Sequence, residues 1–146
     1  MNQAVDHSVP AWVKAVNAVF LLWNLFGLTV FVLAMTVFTS EQALKDAGLS
    51  DKQVEVTLAT PGWVNVAFGT AVIAGVLGCL CLLLQKKAAL PLLIVSLVAV
   101  MAQNTYMYLL SDTIEHMGVG ASPFVIAVAI FLVPYAFRCR SRDWIR

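Results

Sequence analysis

Four long stretches of the chain contain no charged side chains, and short charged segments separate them. The uncharged stretches cover residues 15–40, 56–85, 88–111 and 117–137. About 20 helical residues cross a hydrocarbon core of about 30 Å, so each stretch is long enough to span a bilayer. The stretches are apolar on all sides instead of alternating, which excludes the strands of a membrane β-barrel. The pattern therefore predicts an all-α, integral membrane bundle of four transmembrane helices.

The predicted helices form a single membrane domain, residues 1–146. Their expected bounds are about 11–38, 61–85, 89–111 and 123–137, with an extracytoplasmic cap at 39–60. The fourth helix is short, and Pro134 interrupts it near its cytoplasmic end, which predicts a kink there.

The loop between the first two spans is patterned as a partly helical cap. Ser40 can cap a short helix that Gly48 ends, and Ser50 with Gln53 has the spacing of a capping box for a second one. Apolar residues recur along both segments and predict an edge that lies on the bundle or the lipid surface. These residues are Leu44, Leu49, Val54 and Leu58.

Charge predicts the orientation of the bundle. Lys86 and Lys87 fill the second loop, and four arginines lie in the C-terminal tail, whereas the first and third loops are mainly acidic. The positive-inside rule therefore predicts a multi-pass protein with cytoplasmic N- and C-termini. Only 12% of the residues are charged, against roughly 25% in soluble domains, which makes the lipid bilayer the expected partner. The net charge of +1 gives no reason to expect nucleic acid.

The second predicted helix carries small residues at helical spacing: Ala67, Ala71, Gly75 and Gly78. Such a face lets helix backbones approach closely, so this helix is expected to be the central packing element. Its neighbour is another helix of this chain, a second copy in a homo-oligomer, or a different membrane protein.

Polar side chains within the spans are the candidate site. They are Asn17 and Asn24 on the first helix, Asn65 on the second, and Gln103, Asn104 and Tyr106 on the third. An amide left in lipid costs several kcal/mol, so these residues are expected to face the interior. Two interpretations stay open. The amides bond across helices and fix helix register, or Asn24, Gln103 and Asn104 line a pocket for a small neutral, hydroxylated solute.

Three residues of the third loop are weak candidates for metal ligands. Asp112, Glu115 and His116 would share one side of the third helix if it continued to Gly118. Three ligands without a fourth are common by chance, so a solvated helix end is the favoured interpretation and no metal is predicted. The chain contains none of the common catalytic motifs, and no cofactor or enzymatic activity is expected. The spans also lack Asp and Glu, which disfavours transport coupled to protons or sodium.

Several segments carry a resemblance to known proteins: Leu22-Trp23-Asn24-Leu25, Pro61-Gly62-Trp63, and Gln103 with Tyr106. Through them the chain resembles a set of small bacterial four-helix membrane proteins that often carry the name "sugar transporter". The resemblance implies a bacterial inner membrane and a joint role for Asn24 and Gln103. Two functions are therefore expected as alternatives: an oligomeric protein that transports or binds a small neutral solute, and a non-catalytic accessory or assembly subunit of a larger membrane complex.

Overall fold

The computed structural model describes residues 9–145, and residues 1–8 and 146 of the predicted cytoplasmic tails lie outside this range. Seven α-helices follow one another in the described part, and it contains no strand. They are α1 (Ala11–Thr36), α2 (Glu41–Asp46), α3 (Asp51–Leu58), α4 (Gly62–Leu83), α5 (Ala89–Thr105), α6 (Thr113–Met117) and α7 (Ser122–Ser141). A π-helical turn, Tyr106–Leu110, continues α5.

Four helices are long and apolar enough to cross a membrane, which confirms the predicted fold class. They are α1, α4, α5 with its π-helical turn, and α7. Large apolar side chains such as Leu22, Val66, Val98 and Leu109 are exposed on the outside of these helices. A soluble domain seldom exposes so much contiguous apolar surface, whereas acyl chains cover it readily. The protein is therefore a multi-pass membrane protein.

Consecutive spans are neighbours in the bundle: α1 packs on α4, α4 on α5, and α5 on α7. Small residues of α4 permit this packing. Ala71, Gly75 and Gly78 are buried between the helices, and an added Cβ at Gly78 would lie only 2.8 Å from Leu93 Cδ2. Ala67 is half-buried. The small-residue face is thus occupied by helices of the same chain, with α4 at the centre as the sequence predicts.

The first and last spans meet through side chains, because their backbones lie apart over most of their length. Three ring pairs bridge them, with centroid distances of 5.7 Å for Phe20–Phe131, 6.3 Å for Phe20–Tyr135 and 4.9 Å for Trp23–Phe124. Trp12 also contacts Trp144, just after α7, at 6.0 Å. Tyr135 Oη also donates a hydrogen bond of 2.9 Å to Asn17 Oδ1. These contacts close the bundle between α1 and α7.

The cap forms as its sequence indicates. Ser40 Oγ accepts from the amide of Ala43, and Ser50 and Gln53 make both hydrogen bonds of a capping box. Gly48 has φ +89°, a left-handed conformation that suits glycine and ends α2. Leu44 and Val54 are buried beneath the cap, as the predicted apolar edge requires, whereas Leu58 is 49% exposed and Leu49 is half-buried.

The cap is tied to the loop after α5 and held by surface ion pairs. Gln53 Nε2 donates a hydrogen bond of 3.1 Å to the carbonyl oxygen of His116, which joins α3 to α6. Lys45 Nζ lies 2.7 Å from Glu41 Oε1 and 3.1 Å from Asp51 Oδ1, and these carboxylates raise the pKa of the lysine. The ion pair with Asp51 connects α2 to the start of α3, so the two short helices form one unit.

Most helix ends lie within two residues of the predicted bounds, and the end of the fourth span differs most. The fourth span continues past the expected end at 137 to Ser141, although Pro134 lies inside it. Proline removes one backbone donor, and the turns on either side keep their own hydrogen bonds. The third span ends in the π-helical turn and breaks at Ser111, whose backbone is extended. The separate helix α6 then begins, so α5 does not continue to Gly118.

Candidate solute-binding cavity

A cavity of about 270 Å³ lies between all four spanning helices. Its walls are mainly apolar, and α1, α4, α5 and α7 each contribute residues, including Val30, Val72, Val100 and Leu132. Three polar side chains line it: Asn24, Ser96 and Gln103. No charged residue of the described chain lines this space. The cavity therefore offers a neutral, mostly apolar environment with a few hydrogen-bonding groups.

Asn24 is placed on the cavity wall by its contacts with α4. Its Nδ2 donates a hydrogen bond of 2.9 Å to the carbonyl oxygen of Phe20 and lies 3.4 Å from Cys79 Sγ. Its Oδ1 lies against Gly75, where an added Cβ would collide with it. The glycine therefore creates the space that the Asn24 carboxamide occupies.

Ser96 of α5 lies next to the same glycine. Its Oγ donates a hydrogen bond of 2.7 Å to the carbonyl oxygen of Ala71, and it is buried. An added Cβ at Gly75 would lie 3.2 Å from Ser96 Oγ. Gly75 thus brings together polar groups from α1 and α5, which both pack on α4.

Gln103 is the third polar residue of the wall and lies between two cavities. Besides the central cavity, it lines a smaller one of about 170 Å³ on the cap side, together with Asn65, Thr60, Tyr106 and Met107. Its side chain makes no hydrogen bond to another described residue. A carboxamide has two donor hydrogens and an acceptor oxygen, so Gln103 has free capacity for a ligand.

The structure brings only part of the predicted polar set together. Asn24 and Gln103, on different helices, line the same cavity. Asn65 and Tyr106 are half-buried and line the cap-side cavity, where the rings of Tyr106 and Trp63 meet edge to face at 5.6 Å.

Two predicted amides do not line the central cavity and make hydrogen bonds within the bundle instead. Asn17 is 3% exposed and accepts from Tyr135, far from the cavity wall. Asn104 is 6% exposed, and its Nδ2 donates to the carbonyl oxygen of Val100 in its own helix, while its Oδ1 has no partner. Among the described residues, no two of the predicted amides bond to each other.

The break at Ser111 separates the three weak metal candidates from α5. Asp112 precedes α6, Glu115 is exposed, and His116 is half-buried under the cap. Asp112 and His116 line a shallow polar cavity of about 240 Å³ with Lys52 and Glu55. Within residues 9–145 no three His, Cys, Asp or Glu side chains are positioned to hold a metal ion.

Sequence inspection did not identify some residues that shape the site. The spacing of small residues marks Gly75 as a packing residue. Its contact with Asn24 depends on the rotation of α1 relative to α4, which the spacing does not give. Tyr135 was not considered as the partner of Asn17. Both residues lie near the same end of antiparallel spans, and this match in depth is the feature that could have suggested the pair.

No protein-family model, curated protein or solved structure matches the chain. The residues of the cavity are therefore the basis for a functional hypothesis.

Proposed function

We propose that the protein binds a small neutral solute in the central cavity and moves it across the membrane. The observation that supports this proposal is the common cavity lined by Asn24 of α1 and Gln103 of α5. Pockets of this kind, apolar with a few convergent polar groups, are where small molecules usually bind.

The lining indicates the chemistry of the solute. Without a charged wall residue among those described, an ionic solute would lose its hydration and gain no counter-charge. The mainly apolar walls suit a compact ring or short chain with one to three hydroxyl or carbonyl groups. Gln103 can donate to and accept from such groups, and Trp23 offers an aromatic face beside them. A volume of about 270 Å³ limits the solute to less than drug size.

The proposed route of entry runs from the cap side. The cap-side cavity and the central cavity share Gln103, so rotation of one side chain would connect them. At the opposite end, buried Leu82, Leu93 and Cys139 belong to a packed core that fills the interior. Rotation of Gln103 would thus open the site toward the cap while the packed core closes the opposite end, which is one of the two states that alternating access requires.

Binding is tested by calorimetric titration of the purified protein in detergent micelles with a graded series of ring alcohols. Cyclohexanol, cyclohexanetriol and inositol cover the range from mostly apolar to fully hydroxylated. We expect saturable binding of cyclohexanol or cyclohexanetriol, with inositol weaker. Gln103→Ala is expected to raise Kd about tenfold, because it removes the ligand's hydrogen-bond partner.

Two alanines of α7, one on the cavity wall and one on the outside, show whether a loss of binding comes from filling the cavity. Ala129 lines the cavity, so Ala129→Leu should fill it and abolish binding. Ala127 is exposed on the outside of α7, and Ala127→Leu should bind like the wild type. Equal binding by both variants would show that the solute does not occupy this cavity.

Transport is measured as flux of cyclohexanetriol and inositol into proteoliposomes, with Gln103→Ala and Ala129→Leu alongside. The proposal expects flux above that of protein-free vesicles and its loss in both variants. If the protein binds and transports none of the series and co-purifies stoichiometrically with other membrane proteins, the accessory-subunit alternative is supported.

We further propose that the protein lies in a bacterial inner membrane with both termini cytoplasmic, which its loop charges support. Lys86 and Lys87 belong to the same end of the bundle as the arginines after Phe137. Reporter fusions after Gly48 and after Lys87 test this orientation. Activity of a cytoplasmic reporter after Gly48 would reverse it.

A further inference from the structure

A second cavity lies at the arginine-rich end of the bundle, in the cleft between α1 and α7. It has a volume of about 710 Å³ and is separate from the central cavity, with which it shares no lining residue. Arg138 and Arg142 line one end of it, and Val16, Phe131 and Pro134 line the other. Trp12 and Trp144 flank the cleft with rings in edge-to-face contact.

The two arginines are placed to act on one ligand. Arg138 lies in the last turn of α7, and Arg142, four positions later, is the residue that caps this helix, whereas Arg140 between them does not line the cleft. Both are exposed, and no carboxylate of residues 9–145 lies within ion-pair distance of either guanidinium, including that of the adjacent Asp143. Among the described residues the positive charge of the pair is therefore uncompensated, and guanidinium groups bind phosphate oxygens in a bidentate manner.

The rest of the cleft has the character of the acyl region of a bilayer. Val16, Phe131 and Pro134 continue from the arginines along the spanning segments, where the α1 and α7 backbones lie apart. The tryptophans lie at the end of the spans, where such side chains mark the headgroup level. Positive charge at headgroup depth and an apolar channel below it match the two parts of one amphipathic molecule.

We propose that this cleft binds an anionic phospholipid, with its phosphate between Arg138 and Arg142 and an acyl chain along Val16, Phe131 and Pro134. Basic pockets between transmembrane helices are suited to anionic headgroups, and each basic residue near the surface strengthens the attraction. A lipid held here would also add to the side-chain contacts that bridge the first and last spans.

The test is native mass spectrometry of the protein released from micelles that contain equimolar phosphatidylglycerol and phosphatidylcholine. The wild type is expected to retain phosphatidylglycerol about tenfold more often than phosphatidylcholine, because Arg138 and Arg142 both attract the anionic headgroup. The double variant Arg138→Gln with Arg142→Gln should lower this preference to about twofold. Each single variant, Arg138→Gln or Arg142→Gln, should lower the preference in part, and the matched control Arg140→Gln removes one such charge outside the cleft and should keep the wild-type preference.

Several results would overturn the proposal. One is equal retention of the two lipids by the wild type, which needs no variant and so does not depend on variant folding. Another is an equal loss of preference in Arg140→Gln, which would indicate general surface charge. A third is displacement of phosphatidylglycerol by millimolar glycerol phosphate, which would indicate a site for soluble phosphate. The variant with lysine at both positions keeps the charge and should retain most of the preference.

Discussion

Gly75→Ala is the substitution that most directly tests how the cavity wall is built. A Cβ at this position would collide with Asn24 Oδ1 and would lie 3.0 Å from Asn24 Cγ and 3.2 Å from Ser96 Oγ. Asn24 must therefore move, and its hydrogen bond to the carbonyl oxygen of Phe20 and its contact with Cys79 would be strained or lost. The backbones of α1 and α4 cannot separate without disturbing the whole interface.

The expected cost follows from these contacts. Overpacking a well-packed interface costs about 1–3 kcal/mol, and a polar contact within a membrane protein contributes about 0.6 kcal/mol. We expect Gly75→Ala to lower the free energy of unfolding by about 2 kcal/mol. This corresponds to a fall in Tm of roughly 4–8 °C for a chain of this size.

Denaturation in mixed micelles of mild detergent and dodecyl sulfate, followed by circular dichroism, measures this change. Gly62→Ala is the matched control, because no atom lies within 4 Å of an added Cβ at that exposed first residue of α4. The double variant Gly75→Ala with Asn24→Ala should be more stable than the sum of the single effects predicts, since truncation of Asn24 makes room for the methyl group. Equal stability of the Gly75 and Gly62 variants would refute the proposed contact.

Three further predictions use the same assay or hydrogen exchange. Tyr135→Phe leaves the buried Asn17 Oδ1 without its donor and should lower the free energy of unfolding by about 1 kcal/mol in mixed-micelle denaturation. The same change at the exposed Tyr108 should leave this free energy unchanged, and equal effects of the two variants would contradict the hydrogen bond. Asn104→Leu removes a buried oxygen that lacks a hydrogen-bond partner among the described residues, so the free energy of unfolding should stay the same or rise by up to about 1 kcal/mol. A clear fall in the same denaturation assay would show that Asn104 Oδ1 does accept a hydrogen bond. Ser50→Ala removes one half of the capping box, which should cost about 1 kcal/mol and therefore speed amide hydrogen exchange in α3 by roughly fivefold. Exchange in α4 should stay the same, and unchanged exchange in α3 would contradict the capping box.

The sequence allowed the architecture to be predicted because the bilayer restricts it so strongly. Uncharged stretches of sufficient length can only be spanning helices, and the spacing of Ser50 and Gln53 is enough to predict a cap that depends on local hydrogen bonds. Helix ends were harder to place. The uncharged stretch ends at Phe137, which sets the expected end of the fourth span, yet α7 continues to Ser141 through Arg138 and Arg140. Charged side chains mark the edge of the bilayer but do not stop a helix.

The arrangement of the polar residues could be predicted only in part. Helical spacing shows which residues share a face of one helix, but it does not give the rotation of one helix against the next. Asn24 and Gln103 do line one cavity. Asn104, next to Gln103 in the chain, points away and bonds within its own helix, and the same spacing could not separate these outcomes.

The way in which the first and last spans meet has a mechanical consequence. Close backbone packing joins the spans into a strip with two free edges, and in the described residues side chains hold those edges together: aromatic rings, one hydroxyl, and buried apolar groups such as Val13 and Ala136 at one end. Rotamer changes release contacts of this type without disturbing any helix–helix interface. The edge between α1 and α7 is thus the least costly place to open the interior sideways toward the surrounding lipid.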